Sequence, residues 1–280
     1  MGSVRWAFPC AAWRPCREEW LLAARLVQPE EKDRIGQFVF ARDAKAALAG
    51  RLLIRKLVAE KLCIPWNEIH LQRTSKGKPF LANNVFSIYS SYNFNVSHQG
   101  DYAVLAAEPE LQVGIDIMKT NLPGSSSIPN FFHIMKRQFT ETEWGVIKSM
   151  GNEWMQLDMF HRHWLEIGKV YKETKMLLDG DKEEEWMFEE TRLDDHHHVA
   201  VALGKQEGFG QKHSDENTLV VLLPDSLQIL MDEMRTDLPW ISKDSCMGRH
   251  LSATKVPQAQ RLPVGVLASA LASGFQRIWS

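Results

Sequence analysis

The sequence predicts an α+β fold, in which helices and antiparallel strands occupy separate stretches of the chain. Two observations support this prediction. Apolar residues recur at three-and-four spacing between residues 34 and 62, which is typical of a long helix with a buried face. Three strand-like segments follow at 94–98, 102–107 and 112–118, and short turns join them, which favours an antiparallel meander.

Length and charge limit the classes of protein to consider. A chain of 280 residues can form one large domain or two modest ones. Its 44% hydrophobic and 24% charged residues are those of an ordinary globular protein. The net charge is −2, so no global field attracts the chain to nucleic acid or to a membrane. Any anion site must therefore come from a local cluster of cations.

Cysteine use and hydropathy indicate a compartment. The four cysteines, Cys10, Cys16, Cys63 and Cys246, have no metal-ligand spacing. The first residues lack the apolar segment of a secretory signal, and no run approaches the roughly 18–20 apolar residues of a membrane helix. We expect a soluble chain in the cytosol, with reduced thiols.

The first third of the chain is predicted to be mainly helical. A strand at 4–8 precedes a short helix at 18–27, which Pro29 closes, and Pro65 ends the long helix. Cations decorate that helix, and each one by itself is best interpreted as part of a solvated face: Arg42, Lys45, Arg51, Arg55, Lys56 and Lys61.

A basic loop follows a strand predicted at 68–72. It reads Arg-Thr-Ser-Lys-Gly-Lys-Pro over residues 73–79, and Gly77 and Pro79 mark a turn. Such a turn would leave backbone N–H groups and three cations available to an anion. The alternative is an ordinary solvated loop.

The meander places two polar residues at one edge of a sheet. Its first strand ends at His98 and its third ends near Asp116. Two strand spacings would separate them by roughly 10 Å, a gap that fits a diphosphate and a metal ion. Alone, His98 could be a surface histidine and Asp116 a solvated or turn-capping residue.

The remaining chain contains shorter signals. Thr140 and Glu143 predict a capping box at a helix start, ahead of an aromatic-rich stretch at 154–164. Strand-like segments are predicted at 170–178, 186–189 and 198–203, with a charged turn at 179–185. The histidines at 196–198 are interpreted as exposed polar sequence rather than a metal site. From 204 onward the pattern degrades around a short apolar piece at 219–223, so most of 204–280 is predicted to be irregular.

Three motifs occur in order: the basic loop at 73–79, Asn-Val-Ser-His at 95–98, and Gly-Ile-Asp-Ile at 114–117. Together they resemble the Sfp-type 4′-phosphopantetheinyl transferases, over roughly two thirds of the chain. The resemblance implies a pseudo-twofold pair of α+β halves with coenzyme A (CoA) in the cleft between them. Here the halves would span 4–110 and 111–203, with an irregular tail at 204–280.

The resemblance also implies an activity and a site. The family transfers the 4′-phosphopantetheine arm of CoA to a carrier-protein serine and releases 3′,5′-ADP. Asp116 would coordinate Mg²⁺, and Asp116 and His98 would be the catalytic residues. Residues expected to bind CoA are Arg34, Arg73, Thr74, Ser75, Lys76, Gly77, Lys78, Asn95, Val96, Ser97, His98 and Asp116. Relatives of this kind are usually monomeric, and they act on carrier domains of fatty-acid synthase and of an aminoadipate-related enzyme.

The sequence departs from the family in its second half. The family carries Trp-x-x-Lys-Glu-Ser/Ala-x-x-Lys, but here Ile167 and Gly168 stand three and four positions after Trp164. A segment is thus predicted to be missing, which truncates the second half and removes a metal-binding Glu. Glu166 and the Lys-Glu-Thr at 172–174 are weak candidates to replace the missing Lys-Glu of the motif. Met118 stands where many relatives place another carboxylate, and a thioether does not suit Mg²⁺.

Three hypotheses remain open at this point. The first is a working transferase, and the second is a catalytically impaired isoform that at most binds CoA. The third is a nucleic-acid binder that uses the basic loop. It has poor support, because the net charge is slightly negative and no aromatic residues interleave the cations.

Overall fold

The computed structural model describes residues 2–75, 77–83, 92–120, 127–161, 165–178, 181–205, 219–223 and 231. Its helices are α1 (Arg17–Arg25), α2 (Pro29–Gly36), α3 (Ala41–Leu62), α4 (Ile128–Ile134), α5 (Glu141–Lys148) and α6 (Glu153–His161). Short 3₁₀ helices lie at Trp66–Glu68 and Met135–Gln138. The mixed content of helices and strands confirms the α+β class. Among the described helices, none is long and apolar enough to cross a membrane.

The strands form two four-stranded sheets and two small hairpins. They are β1 (Val4–Phe8), β2 (Leu71–Arg73), β3 (Pro79–Leu81), β4 (Asn93–Gln99), β5 (Tyr102–Glu108), β6 (Leu111–Lys119), β7 (Val170–Tyr171), β8 (Met176–Leu178), β9 (Asp181–Glu183), β10 (Trp186–Asp194), β11 (His197–Lys205) and β12 (Val220–Val221). The first sheet has the order β12-β1-β5-β4, and the second has the order β6-β11-β10-β7. The hairpins are β2-β3 and β8-β9. Only β12, which runs parallel to β1, breaks the antiparallel pattern of the described ladders.

The predicted meander is wrong for its third strand. β4 pairs with β5, but the other edge of β5 is taken by β1, so β6 pairs with β11 in the second sheet. β6 instead runs beside β4, where side chains of β4 bind its free edge. The Val113 N–H donates to Asn93 Oδ1 (3.3 Å), and the Lys119 N–H donates to Gln99 Oε1 (2.8 Å). The ends of the first and third strands are therefore direct neighbours, not two strands apart.

The main core lies between the first sheet and helices α1–α3. Leu52, Leu53 and Leu105 are fully buried there. Gly50 brings α3 close to β4, because a Cβ at Gly50 would lie 3.3 Å from Val96 Cγ2. A second core lies between the two sheets and contains alternate residues of β5, β6 and β11. β1 is buried along its whole length because it lies between these two cores.

Helix boundaries in the first third differ from the sequence prediction. The stretch 34–62 is not one helix, because α2 ends at Gly36 and α3 begins at Ala41. Pro29 does not close α1 but begins α2, at a first-turn position that tolerates its missing N–H. Arg34 consequently lies in the last turn of α2.

The solvated-face interpretation of the α3 cations is confirmed for Arg42, whose side chain is 81% exposed. It is wrong for Arg51 and Arg55, which are 7% and 5% exposed. Arg55 donates to the carbonyls of Trp66 and Ile69, and its guanidinium lies over the Trp66 ring. Arg51 lies beside a buried carboxylate described below.

Helices α4–α6 enclose a separate aromatic cluster. Phe160 packs against the rings of Phe131, Phe132, Phe139 and Trp144 and against the neighbouring His161. The predicted capping box is confirmed, since Glu143 N–H donates to Thr140 Oγ1 (3.3 Å) and Thr140 N–H donates to Glu143 Oε2 (2.7 Å).

Several strand boundaries also change. The strand predicted at 68–72 is shifted to β2, because a 3₁₀ helix occupies 66–68. The segment 170–178 divides into β7 and β8, and the charged turn at 179–185 contains β9. Part of the tail packs with the N-terminal elements: β12 extends the first sheet, and the buried Met231 belongs to the main core. Residues 206–218, 224–230 and 232–280 lie outside the described part.

The buried side chains of Arg5 and His197 also connect the two sheets. Arg5 on β1 pairs with Glu108 on β5 and with Glu189 on β10 (2.8 Å), and all three side chains are at most 5% exposed. His197 at the start of β11 is 1% exposed; its Nδ1 lies 2.9 Å from Asp194 Oδ1, and the Asp101 N–H donates to its Nε2 (3.2 Å). Asp101 follows β4, so this histidine joins the turns of two hairpins.

Candidate functional site

Ser97 and Asp116 form the direct contact between the two sheets at the predicted site. Ser97 lies near the end of β4 and Asp116 lies near the end of β6. Ser97 Oγ donates to Asp116 Oδ1 over 2.6 Å. The predicted gap of roughly 10 Å between strand ends is therefore wrong, because β4 and β6 are neighbours.

The surroundings of Asp116 suit a cation. Burial raises the pKa of its carboxyl group, although hydrogen bonds from Ser97 and from the Ile117 N–H oppose the rise. Both hydrogen bonds reach Oδ1. Among the described residues none donates to Oδ2, so this oxygen remains available to a metal ion. Mg²⁺ commonly takes one or two carboxylates and fills its other positions with phosphate oxygens and water, which fits this arrangement.

A second cluster lies around the buried carboxylate of Glu31 on α2. Arg73 Nε donates to Oε1 (2.9 Å) and Arg73 Nη2 donates to Oε2 (2.8 Å), in a bidentate pair. Arg51 Nε lies 3.6 Å from Oε2. Burial by itself would raise the pKa of Glu31, but Arg73, Arg51 and Arg34 lower it overall. Three guanidinium groups thus surround one carboxylate.

His98 links this cluster to the end of β4. Its side chain is exposed, yet the protein around it removes enough water to lower its pKa. Arg51 and Arg34 lower the pKa further, and only Asp43 among the neighbouring charges raises it. His98 and Ser97 are consecutive, so their side chains leave β4 on opposite faces. The end of β4 therefore carries His98, which senses the charges of the arginine cluster, on one face and the Ser97 contact with Asp116 on the other.

The basic loop is closed on itself. The Thr74 N–H donates to Lys78 O (2.9 Å), the Gly77 N–H donates to Thr74 O (2.9 Å), and the Lys78 N–H donates to Thr74 Oγ1 (3.1 Å). The prediction that the loop leaves these N–H groups available is wrong, because the left-handed Gly77 (φ +85°) lets the turn use them internally. Ser75 is exposed, and Lys76 lies outside the described residues.

The remaining residues predicted to bind CoA differ in burial and in hydrogen bonding. Lys78 Nζ donates to Asn93 Oδ1 (3.3 Å), and burial lowers the pKa of Lys78. Asn95 is 5% exposed. Val96 packs against the main core beside Gly50, so its side chain faces away from any ligand at the strand edge.

Two residues of the site were missed by sequence reasoning. Arg51 was taken for a solvated cation, although it stands between the core positions Leu48 and Leu52 and one turn before Arg55. Glu31 lies three positions before Arg34, on the same face of α2. The position of Arg51 within the apolar face of the predicted helix could have indicated that it is buried.

Near the position of the family's Lys-Glu motif, the described acidic residue Glu166 has local partners. Lys169 Nζ donates to Glu166 Oε1 (3.3 Å), and the Glu166 N–H donates to the Tyr171 hydroxyl (3.0 Å). Residues 162–164 lie outside the described part. In the part described, no three His, Cys, Asp or Glu side chains are grouped as a metal site.

The interpretation of 196–198 as exposed polar sequence is correct for His196 and wrong for His197. His197 is buried because it joins the turn after β4 to the turn before β11. The thiols of Cys10, Cys16 and Cys63 are free, and burial raises the pKa of Cys10 to about 12. Cys246 lies outside the described residues.

Comparison with known proteins defines the family. Residues 11–110 match the family model of the N-terminal part of 4′-phosphopantetheinyl transferases. The human L-aminoadipate-semialdehyde dehydrogenase-phosphopantetheinyl transferase is 60% identical over 244 residues, which cover 77% of this chain and 78% of that protein. Its Xenopus laevis counterpart is 54% identical over 281 residues, covering 88% and 93%. The Bacillus subtilis transferase Sfp is 26% identical over 138 residues, covering 49% and 55%. The chain belongs to the 4′-phosphopantetheinyl transferase family.

The Xenopus match also bears on the tail. The match covers 88% of the 280 residues, which is more residues than 1–203 can supply. The similarity therefore continues into 204–280. The pairing of β12 with β1 gives part of that stretch a place in the fold.

Proposed function

We propose that this chain transfers the 4′-phosphopantetheine moiety of CoA to a serine of acyl or peptidyl carrier proteins and releases 3′,5′-ADP. The observation that carries the proposal is family membership combined with a half-buried Asp116 whose Oδ2 faces no described donor. In the reaction the serine oxygen bonds to the phosphorus of the phosphopantetheine group. The bond from that phosphorus to the departing 3′,5′-ADP oxygen breaks, and the serine proton is lost.

The charges of the site support this chemistry. Transfer from a diphosphate needs its negative charge neutralised, and preorganised cations supply this without reorganisation. Asp116 would hold Mg²⁺ against the diphosphate, and Ser97 would keep the Asp116 carboxylate oriented. Arg34, Arg73 and His98 would bind phosphate groups. Bound Mg²⁺ would stabilise charge on the transferred group.

We propose that the fold is a pseudo-twofold pair of halves at 4–110 and 111–203. The support is the topology, because two strand sets repeat one order: β1-β5-β4 in the first half and β6-β11-β10 in the second. In each set the first strand along the chain pairs with the third, and the third pairs with the second. β12 would make the tail at 204–280 an extension of the first half. A cytosolic location fits the three free thiols among the described residues.

An impaired isoform that at most binds CoA is the second candidate. By the family resemblance, Lys and Glu would stand three and four positions after Trp164, and this chain has Ile167 and Gly168 there. The alignment with the human relative has 244 positions, but 77% of these 280 residues is fewer than 244. Some residues of the human protein therefore have no counterpart in this chain. General-base assistance is typically worth about 10²–10⁴-fold, so loss of the Glu would slow transfer rather than prevent CoA binding.

One experiment separates the two candidates. The purified chain is incubated with CoA, Mg²⁺ and an apo carrier protein, and the carrier is weighed by mass spectrometry. A gain of one phosphopantetheine supports transfer. CoA binding without a mass gain supports the impaired isoform, and neither binding nor transfer contradicts both.

A further inference from the structure

Arg51 lies beside the ion pair of Glu31 with Arg73, a residue of the predicted phosphate site, but the motifs do not assign Arg51 itself to that site. Arg51 belongs to α3, and only 7% of its surface is exposed. Of the residues that the structure describes, none accepts a hydrogen bond from its Nε or Nη1. A buried guanidinium with unused donors is costly unless a partner satisfies it. We propose that Arg51 binds a phosphate group of CoA, and that Glu31 occupies this site in the free protein; this rests on the proposed function.

The geometry of Glu31 explains why Arg51 is left unsatisfied. Arg73 holds the bidentate edge of the carboxylate, with one contact to each oxygen at 2.9 and 2.8 Å, and this pair fixes the orientation of Glu31. Arg51 Nε stays 3.6 Å from the nearer oxygen, outside hydrogen-bond distance. A phosphate monoester offers three terminal oxygens, so it can accept from two guanidinium groups at once. The site thus fits a phosphate better than the carboxylate it now holds.

The charge of the cluster points the same way. Arg34, Arg51 and Arg73 face a single described carboxylate, Glu31, which leaves an excess of positive charge. Burial lowers the pKa of Arg51 to about 10, and the Glu31 charge opposes the decrease, so the guanidinium remains charged at neutral pH. A dianion would neutralise this excess.

The position of His98 connects Arg51 to the known motif. Arg51 and Arg34 are the cations close enough to lower the pKa of His98, from α3 and α2, and Asp43 on α3 opposes them. A phosphate that replaced Glu31 Oε2 beside Arg73 would also approach Arg51, because Arg51 Nε lies 3.6 Å from that same oxygen. This adds a buried arginine to the residues that the motifs assign to the phosphate site.

Isothermal titration of CoA into the full-length chain tests the proposal without any transfer step. Arg51→Met is expected to weaken CoA binding by about 10-fold to 100-fold, the usual worth of hydrogen bonds to a charged group. Arg55→Met is the matched control: Arg55 is also buried on α3, but it donates to the carbonyls of Trp66 and Ile69. It is expected to lose stability and keep wild-type affinity. Equal affinity of Arg51→Met and wild type would overturn the proposal.

Dephospho-CoA identifies which phosphate is bound. If Arg51 binds the 3′-phosphate, the Arg51→Met change affects CoA and leaves dephospho-CoA binding unaltered. If Arg51 binds the diphosphate, both ligands lose affinity equally. Either result supports a phosphate contact. If wild type itself binds neither ligand, the proposed function fails, and the Arg51 inference fails with it.

Glu31→Gln gives a second test if Arg51→Met does not fold, as judged by circular dichroism. This change removes the competing charge but keeps the shape of the side chain. CoA affinity is expected to rise by about threefold or more, since the phosphate no longer displaces a carboxylate. Unchanged or weaker binding by Glu31→Gln would contradict the assignment of Glu31 as the group that phosphate displaces.

Discussion

Replacement of Gly100 by alanine tests the contact between the two hairpin turns. Gly100 has φ +61°, and a Cβ there would lie 2.4 Å from His197 Nε2 and 2.8 Å from Lys119 Cδ. The lysine chain can move, but His197 is 1% exposed and held by Asp194 and Asp101. Left-handed backbone costs a non-glycine residue about 1–2 kcal/mol, and overpacking typically costs about 1–3 kcal/mol. The expected loss of stability is therefore about 2–5 kcal/mol.

Thermal unfolding followed by circular dichroism measures this effect. At about 2–4 °C per kcal/mol, Gly100→Ala should lower the Tm by roughly 4–20 °C. The matched control is Gly145→Ala in α5, where an added Cβ meets nothing within 4 Å. Alanine is the better helix former by about 1 kcal/mol, so this control should keep or raise the Tm. A Gly100→Ala protein that melts within about 2 °C of wild type would refute the reasoning.

Three further predictions concern charged groups. Asp116→Asn should lower the rate of transfer, measured from the carrier mass, by at least about 10²-fold. Its CoA binding without Mg²⁺, measured by titration, should equal that of wild type. A wild-type transfer rate would contradict the role of Asp116 in metal binding. Arg5→Met should lower the free energy of unfolding in urea by about 3–5 kcal/mol, because it leaves Glu108 and Glu189 buried beside each other; a loss under about 1 kcal/mol would be inconsistent with the ion pairs. Glu31→Gln should be less stable than wild type at neutral pH. The pKa of Glu31 is lowered in the folded protein, so the stability that its charge adds is present above the ordinary value of 4.5 and is lost as the pH falls through the folded pKa. The difference in urea stability between wild type and Glu31→Gln should therefore narrow on acidification. A difference that stays constant with pH would contradict the ion pair of Glu31 with the arginines.

Local patterns allowed the strands and the motif positions to be predicted. β4, β5 and β6 were placed within one or two residues because alternation and turn residues are properties of neighbouring positions. The partner of β6 was not predictable in this way. β11 lies far along the chain, and the choice between β5 and β11 depends on β1 occupying the other edge of β5.

The candidate site was predicted in part for the same reason. The motifs located Ser97, His98 and Asp116, but the contact of Ser97 with Asp116 depends on two sheets meeting. Burial of Arg51 follows from α2 and β4 covering α3, which a helical pattern alone does not show. Charged residues are rarely buried without partners, so the sequence favoured a solvated cation.

The measurement that tests the central claim most directly is the mass of an apo carrier protein over time with this chain, CoA and Mg²⁺. We predict that the carrier gains one phosphopantetheine group and that 3′,5′-ADP appears in equal amount. Omission of Mg²⁺, or replacement of the acceptor serine by alanine, should abolish the gain. An unchanged carrier mass, from a chain that still binds CoA, would contradict transfer and favour the impaired isoform.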